Sequence, residues 1–467
     1  MRIVLVNPIS QSGQGYHTIG SRIPQLGLQV LARCTPAPHQ VDIYDEIFGS
    51  DNTIDDITSG RYDLVGITAM TSGAARAYQI ARACRERGMT VIFGGIHATT
   101  CPDEAAEYFD SVVIGEADEL WPQILRDFEQ GNLKPRYQTD KFTELHEGHG
   151  EARQTVEPVN GRYDVASIQT SRGCPTGCKF CSVTRVNGAR IRRRTIDSIL
   201  DEWNAITKSF VFVVDDNFFG LSSKQAEWTK QLLREIIKRG KKRLWFSQTT
   251  INMGDDAEAL RLAYKAGCRA MLVGLESFDE QNLLEYQKRL ASRSLGRYKE
   301  LIGKFHKAGI AVFGAVIVGA DNDVPESIRN AACTAIDLGV DILQITNLTP
   351  LPGTDLYDEF KQEGRLIAAD YPNDWDKYTF IHTVFEPKRM TARQLDEAMF
   401  LFRRAAAECP WVLKRTIKSL FRTRSLTTAL FVHGMNKGFL RMAKRQVQFD
   451  ALALPHLAKV PVTPLPS

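Results

Sequence analysis

Three of the nine cysteines crowd into eight positions, Cys174, Cys178 and Cys181, within SRGCPTGCKFCSV (171–183). Thiolates are soft ligands that suit iron–sulfur clusters, copper(I) or zinc. A structural zinc site takes four protein ligands, and only three cysteines stand here. A four-iron cluster held by three cysteines leaves one iron without a protein ligand, and that iron can take a substrate or cofactor. Gly173, Pro175 and Gly177 help the chain curl around a bulky group, because glycine tolerates φ values that other residues avoid. The alternatives are three clustered packing cysteines, or zinc completed by a distant fourth ligand. Cys34, Cys84, Cys101, Cys268, Cys333 and Cys409 are isolated and read as packing residues, so no auxiliary cluster is expected.

Something rigid must hold the loop. It follows the strand-like VASIQTS (165–171), the first of a series continued by FVFVVDD (210–216), LWFSQTT (244–250), AMLVGLE (270–276), AVFGAVIVG (311–319) and DILQITNLTP (341–350). Helical stretches fall between them, near 195–206, 223–239, 255–266, 294–308 and 325–338. Six βα units are too few for a closed eight-stranded barrel. They predict an open, partial (β/α)6 barrel over 165–350, with its site at the strands' C-terminal edge. Residues 1–130 form a second βα series, with strands at 2–7, 41–45, 64–68, 91–95 and 112–115. That pattern predicts an α/β, flavodoxin-like parallel sheet. Residues 131–164 are polar and lack sustained periodicity, so they read as a linker; its His146 and His149 read as solvated. In the loop-rich start of the C-terminal region, 351–467, Trp375, Tyr378 and Phe380 read as packing aromatics, with the lining of a lid as the second reading. Residues 388–447 read as helices with 14 Lys/Arg against 3 Asp/Glu, and VPVTPLPS ends the chain as a frayed tail.

CPTGCKFC resembles the signature of the radical S-adenosylmethionine (SAM) superfamily, C-x3-C-x-aromatic-C, with Phe180 at the aromatic position. The resemblance implies that Cys174, Cys178 and Cys181 ligate a [4Fe–4S] cluster, that SAM chelates the fourth iron, and that its reductive cleavage yields a 5′-deoxyadenosyl radical. It implies that Phe180 lies by the adenine, and that Asp215, Asp216 and Asn217 of VVDDNFF lie by the SAM amino group. Arg194 of RIRRRTIDSI would face the SAM carboxylate, with its neighbouring arginines in solvent. Glu276 of GLES would be a further SAM contact. Asp321 and Asp323 of VIVGADND would line the adenine-side loop or cap it.

Upstream, NPISQSGQG (7–15), TAMTSG (68–73), GGIHAT (94–99) and GEADE (115–119) follow successive strands. Their order resembles the cobalamin-binding domain of the B12-dependent radical SAM family, with Asn7, Thr68, Gly94, Gly95 and His97 as candidate contacts. No D-x-H-x-x-G motif occurs, and His17 lacks an aspartate two residues before it. The resemblance therefore implies cobalamin without a histidine lower ligand, and His97 lining the cofactor pocket or filling a packing role. The implied activity is methylation of an unactivated carbon through the adenosyl radical and methylcobalamin. Ring-forming cyclases of this architecture and a non-enzymatic iron–sulfur sensor or electron carrier are the alternatives. The implied partners are a small-molecule substrate, a lipid or isoprenoid among the options, and a reductant such as flavodoxin or ferredoxin.

The 467 residues, 43% hydrophobic and 24% charged, exclude a disulfide miniprotein, a collagen-like fibre and a disordered chain. A net charge of +4 is too small to argue for nucleic acid, and no recognised nucleic-acid motif occurs. The start, MRIVLVNPISQSGQG, does not read as a signal peptide, and no apolar run approaches bilayer length. The expectation is a cytoplasmic chain whose basic C-terminal helices cap the active site. Peripheral contact with an anionic membrane surface is the second reading of those helices.

Overall fold

The computed structural model describes residues 1–10, 22–139, 141–145, 155–408 and 411–453. Most of NPISQSGQG, His17, His146, His149, Cys409 and the VPVTPLPS tail lie outside the described residues.

The first sheet is built from β1 (Arg2–Asn7), β2 (Gln40–Asp45), β3 (Leu64–Thr68), β4 (Thr90–Gly94), β5 (Ser111–Ile114) and β6 (Arg136–Gln138), in the order β2-β1-β3-β4-β5-β6. Neighbours pair parallel throughout. Helices cover both faces, so central strands have no solvent side: Ile3, Val4, Leu5 and Val6 are all buried. The sixth strand lies inside the expected linker, and its three residues are too few to carry a periodic signal. The 155–164 stretch also belongs to this domain. Tyr163 Oη donates to Asp45 Oδ2 at 2.8 Å, Asn160 Nδ2 to Asp45 O at 2.9 Å, and Val159 N to Ile43 O at 2.8 Å.

The second sheet contains β7 (Ala166–Ile168), β10 (Phe210–Val213), β11 (Leu244–Thr249), β12 (Cys268–Glu276), β13 (Ala311–Val318) and β14 (Ile342–Asn347). Its order is β14-β13-β12-β11-β10-β7, all parallel, with β7 and β14 as unclosed edges. This is the open six-stranded partial barrel. The helix Ser223–Arg239 begins where predicted because Ser222 and Gln225 form a reciprocal capping box. Between β7 and β10, a two-stranded antiparallel ribbon, β8 (Ser171–Arg172) with β9 (Arg192–Arg193), brackets the cysteine loop.

The C-terminal region decides one pair of readings and corrects one expectation. Of packing and lid, Trp375 and Tyr378 take packing; both are buried in the first domain's core, beside Val384 and Ala368. Only Phe380 is partly exposed, beside the end of β14, where its carbonyl accepts from Asn347 N at 2.9 Å. The last helices, Ala392–Glu408, Trp411–Thr423 and Leu426–Ala453, do not all cap the active edge. The Leu426–Ala453 helix lays Val432 and Phe439 among Phe246, Ala270, Ala311, Phe313 and Ile342 on the barrel's inner face. Thr428 Oγ1 donates to Gly309 O at 2.7 Å and Asn436 Nδ2 to Asp341 O at 3.0 Å, just before β13 and β14 begin. The helix thus plugs the barrel from the strands' N-terminal end, where apolar side chains exclude water.

Candidate active site

The cysteine loop leaves β8 at the C-terminal edge of the second sheet and is pinned by its backbone. Cys174 N donates to Gly188 O at 3.1 Å, Lys179 N to Tyr286 O at 3.1 Å, and Cys181 N to Cys178 O at 3.0 Å. Gly173 is required: its φ is +95°, and a Cβ there would meet Arg190 O at 2.3 Å. Phe180 packs edge-on against buried Tyr286, with ring centroids 5.3 Å apart. Burial pushes the Cys178 thiol up, and the Cys181 thiol up to about 12. Cys178 feels the charge of Cys174, and Cys181 that of Cys178 and Cys174. Among the described residues no three His, Cys, Asp or Glu side chains converge as a single ion requires. A four-iron cluster spreads its thiolates over different irons, so its cysteines stand farther apart than ligands of one ion.

Just after β10, Asp215 and Asp216 hold the residues that lead into this loop and Asn217 holds the turn that follows, which revises the roles expected of them. Asp215 is fully buried and already saturated. It accepts from Thr170 N at 2.6 Å, Ser171 N at 3.1 Å, Ser171 Oγ at 2.9 Å and the Thr170 hydroxyl. Burial raises its carboxyl to about 6 even against those donors. Asp216 Oδ2 accepts from Gly173 N at 2.7 Å and from Asn187 Nδ2 at 3.1 Å. Asn217 Oδ1 accepts from Gly220 N at 3.1 Å, and its Nδ2 donates to Thr250 Oγ1 at 3.3 Å. Short side chains at a strand end satisfy the backbone of the adjoining turn first, so all three are committed to scaffold.

Arg194 is committed as well. Its guanidinium donates to Gln169 O at 3.0 Å and Ser198 Oγ at 2.8 Å, and it pairs with Glu202, which also holds Arg33 of the first domain. Of its neighbours, Arg190 is exposed as expected, but Arg192 is buried and Arg193 lies over the Trp228 ring at 4.3 Å. At the end of β13, Asp323 caps the turn by accepting from Gly319 N at 2.8 Å. Asp321 pairs with Arg365 at 2.5 Å.

Glu276 remains at the site, with a partner that the sequence pattern did not reveal. It ends β12 at φ +62° and accepts from Lys288 Nζ at 2.7 Å. Burial alone would lower the Lys288 ammonium, but Glu276 and the nearby Cys178 and Cys181 hold it above its ordinary value. A Cβ on Gly274 would stand 2.2 Å from Glu276 Oε1 and 3.1 Å from Lys288 Nζ, so only glycine leaves room for this pair. Tyr286 Oη is buried without a hydrogen-bond partner. A buried orphan hydroxyl is costly, and with the Phe180 ring packed on it and the Glu276 carboxylate near it, it fits a polar ligand bound by the loop.

The two domains meet at this point. Arg172 of β8 makes a bidentate pair with Asp118 at 2.9 and 2.7 Å. Arg192 of β9 grips Glu116 at 2.8 and 2.6 Å and donates to Asn187 O at 2.9 Å and to the Thr143 carbonyl. The GEADE loop after β5 is therefore clamped to the ribbon carrying the cysteines. The loop ends of the first sheet open toward the same junction, and its Ile96–Thr100 helix touches the Val183–Asn187 helix that follows Cys181. Thr68 and Gly95 are in close contact there: Gly95 has φ +91°, and a Cβ would fall 2.2 Å from Thr68 Oγ1. Gly94 ends β4 beside them. Asn7 ties β1 to Asp45 at 2.8 Å. His97 turns away from the junction into the core, which corrects its pocket-lining reading. It is wholly buried, with Nε2 at 3.0 Å from Tyr78 Oη and 3.3 Å from Glu104 Oε1, under the Trp375 ring.

Comparison with known proteins gives two family matches, a B12 binding domain over residues 16–125 and the Radical SAM superfamily over residues 168–332. Bacteriochlorophyllide d C-8(2)-methyltransferase of Chlorobaculum tepidum is 31% identical over 383 residues, covering 78% of this chain and 81% of that protein. The chain belongs to the B12-binding-domain-containing radical SAM family. Bacteriochlorophyllide d C-12(1)-methyltransferase of the same organism is 29% identical over 430 residues, 88% of each chain. The radical SAM methyltransferase TsrM of Kitasatospora setae, with cobalamin and a [4Fe–4S] cluster bound, shares the fold. It has a TM-score of 0.66 at 18% identity, over 95% of this chain and 99% of that one. This B12-dependent radical SAM enzyme uses a [4Fe–4S] cluster, SAM and cobalamin as its cofactors. Sequence reading missed Arg172, Arg192, Glu116, Asp118, Tyr286 and Lys288 as residues of the junction. A run of basic residues beside the cysteine loop and an acidic loop upstream were the only signals, and neither reveals its partner.

Proposed function

We propose that this enzyme methylates an unactivated carbon of a small, largely apolar molecule of the tetrapyrrole or isoprenoid kind. The observation that carries the reading is the junction itself. A three-cysteine loop at the barrel's C-terminal edge is clamped by two buried arginine–carboxylate pairs to the loop edge of a B12-binding domain. When bound, the cofactors would supply a hydrogen-abstracting radical and a methyl group. In this proposal Cys174, Cys178 and Cys181 hold the cluster. Glu276, Lys288 and Tyr286 orient SAM, and Phe180, held by Tyr286, shapes its adenine side. Asn7, Thr68, Gly94 and Gly95 back the cobalamin face. The Arg172 and Arg192 pairs keep the two faces in register, and the Val432–Phe439 plug keeps water from the barrel's far end.

The two bacteriochlorophyllide methyltransferases support a tetrapyrrole, a flat apolar ring system with polar edges. Substrates of this kind reside at lipid, which suits an enzyme that touches membranes peripherally. A flavodoxin or ferredoxin is the reductant class that fits. The test is anaerobic reconstitution with iron, sulfide and cobalamin, followed by SAM, a strong reductant and tetrapyrrole or isoprenoid acceptors. A product heavier by one methylene unit, with 5′-deoxyadenosine released, is the expected result. SAM cleavage that yields a product of unchanged or lower mass would overturn the methylation reading.

A further inference from the structure

The Trp411–Thr423 helix is amphipathic in the inverse sense. Its buried face carries Trp411, Arg415, Ser419 and Thr423, four residues apart. Its outward face carries the apolar stripe Leu413, Ile417, Leu420 and Phe421, with Phe421 75% exposed. Helices normally turn such a stripe to the core. The following helix runs back along it, with Thr416 Oγ1 3.1 Å from His433 Nδ1, and adds Leu426 and Leu430, 63% and 60% exposed. An exposed cluster of this size marks a contact surface. Between positions 409 and 449 the chain has nine Lys/Arg and no Asp or Glu. Lys414, Lys418 and Arg424 lie exposed among the apolar side chains.

We propose that the tip of this hairpin docks on an anionic lipid bilayer, with the apolar stripe entering the headgroup boundary and the basic side chains meeting lipid phosphates. Apolar side chains flanked by basic ones match the interfacial mode of helix binding. A second copy docking by twofold symmetry would set this uniformly basic surface against itself, and like charges across an interface oppose association. The contact lies on the membrane, since no helix among the described residues is long and apolar enough to cross one. Ser425 Oγ sits 3.1 Å from Tyr264 Oη, and Thr428 holds Gly309, so the tip lies at the N-terminal edge of the barrel. Docking there leaves the opposite edge, with the cysteine loop, free for substrate.

The test is flotation of the full-length protein with phosphatidylcholine vesicles, alone or with about one-third phosphatidylglycerol. Flotation is expected with the anionic vesicles only, and is weakened on raising salt from about 0.1 M to about 0.5 M. Phe421→Ser with Leu426→Ser is expected to lower the bound fraction about tenfold or more, and Lys414→Glu with Arg424→Glu to abolish the preference for anionic lipid. Helicity and iron content stay unchanged in both pairs, because the side chains face solvent. No flotation with anionic vesicles, or undiminished flotation of both variant pairs, overturns the proposal. So does a sedimenting dimer that Phe421→Ser makes monomeric. The readout needs no turnover, so it stands apart from the methylation reading.

Discussion

Replacing Arg192 by methionine removes the centre of the domain clamp while keeping most of its volume. The wild-type guanidinium is almost wholly buried and makes two bonds to Glu116 and two to main-chain carbonyls. After the substitution Glu116 stays buried, holding only Thr143 N at 2.8 Å and Arg172 at 3.5 Å. Breaking one side of a buried pair costs about 3–5 kcal/mol. The two remaining contacts put the expected loss at the lower end, about 3 kcal/mol, read as a shift in urea unfolding. A double-mutant cycle with Glu116→Gln is expected to return about 1.5 kcal/mol or more of coupling, because the second change removes the stranded charge. The consequence for function is uncoupling. β8 and β9 flank the cysteine loop, so a loosened ribbon leaves SAM cleavage intact while misplacing the two cofactor faces. The ratio of 5′-deoxyadenosine to methylated product is expected to rise. Stability within about 1 kcal/mol of wild type, together with an unchanged product ratio, would refute the clamp.

Cys178→Ser is expected to abolish the iron–sulfide absorption of the reconstituted protein while cobalamin still binds; retention of the full chromophore would remove the cluster assignment. Asp215 titrates near 6 in the fold against an ordinary 3.8, so the native state binds its proton more tightly than the unfolded chain. Its contribution is full below the unfolded value and falls as pH rises through about 6. The stability advantage of wild type over Asp215→Asn is therefore expected to shrink by up to about 3 kcal/mol between about pH 4 and pH 7. Urea unfolding across that range checks it, and a constant or widening gap would count against it. Gly95→Ala meets both a left-handed φ and the Thr68 hydroxyl, so cobalamin affinity by equilibrium dialysis is expected to fall about tenfold or more, with iron content unchanged. Equal affinity would free the Gly94–Gly95 turn from any part in cobalamin binding.

Local features of the chain carried much of this. The apolar runs of β1, β3, β10 and β13 announce buried parallel strands by themselves, since a strand covered on both faces has no polar alternation to hide it. The C-x3-C-x2-C spacing lies within eight residues, so its chemistry is legible without a fold. β6 escaped because three residues carry no period. The roles of Asp215, Asp216 and Arg194 went astray for a different reason. Position at a strand end says that a carboxylate is near the active edge, but not which donors reach it first. Asp215 is claimed by Thr170 and Ser171, over 40 residues away, and Arg192 finds Glu116 across 76. The first set exists only once the barrel's strands have assembled, and the second only once the two domains have packed. Residue type and spacing therefore pointed to a cluster-binding loop, and the family resemblance of the motifs to SAM and cobalamin, whereas tertiary contact decided which side chains remain free to touch them.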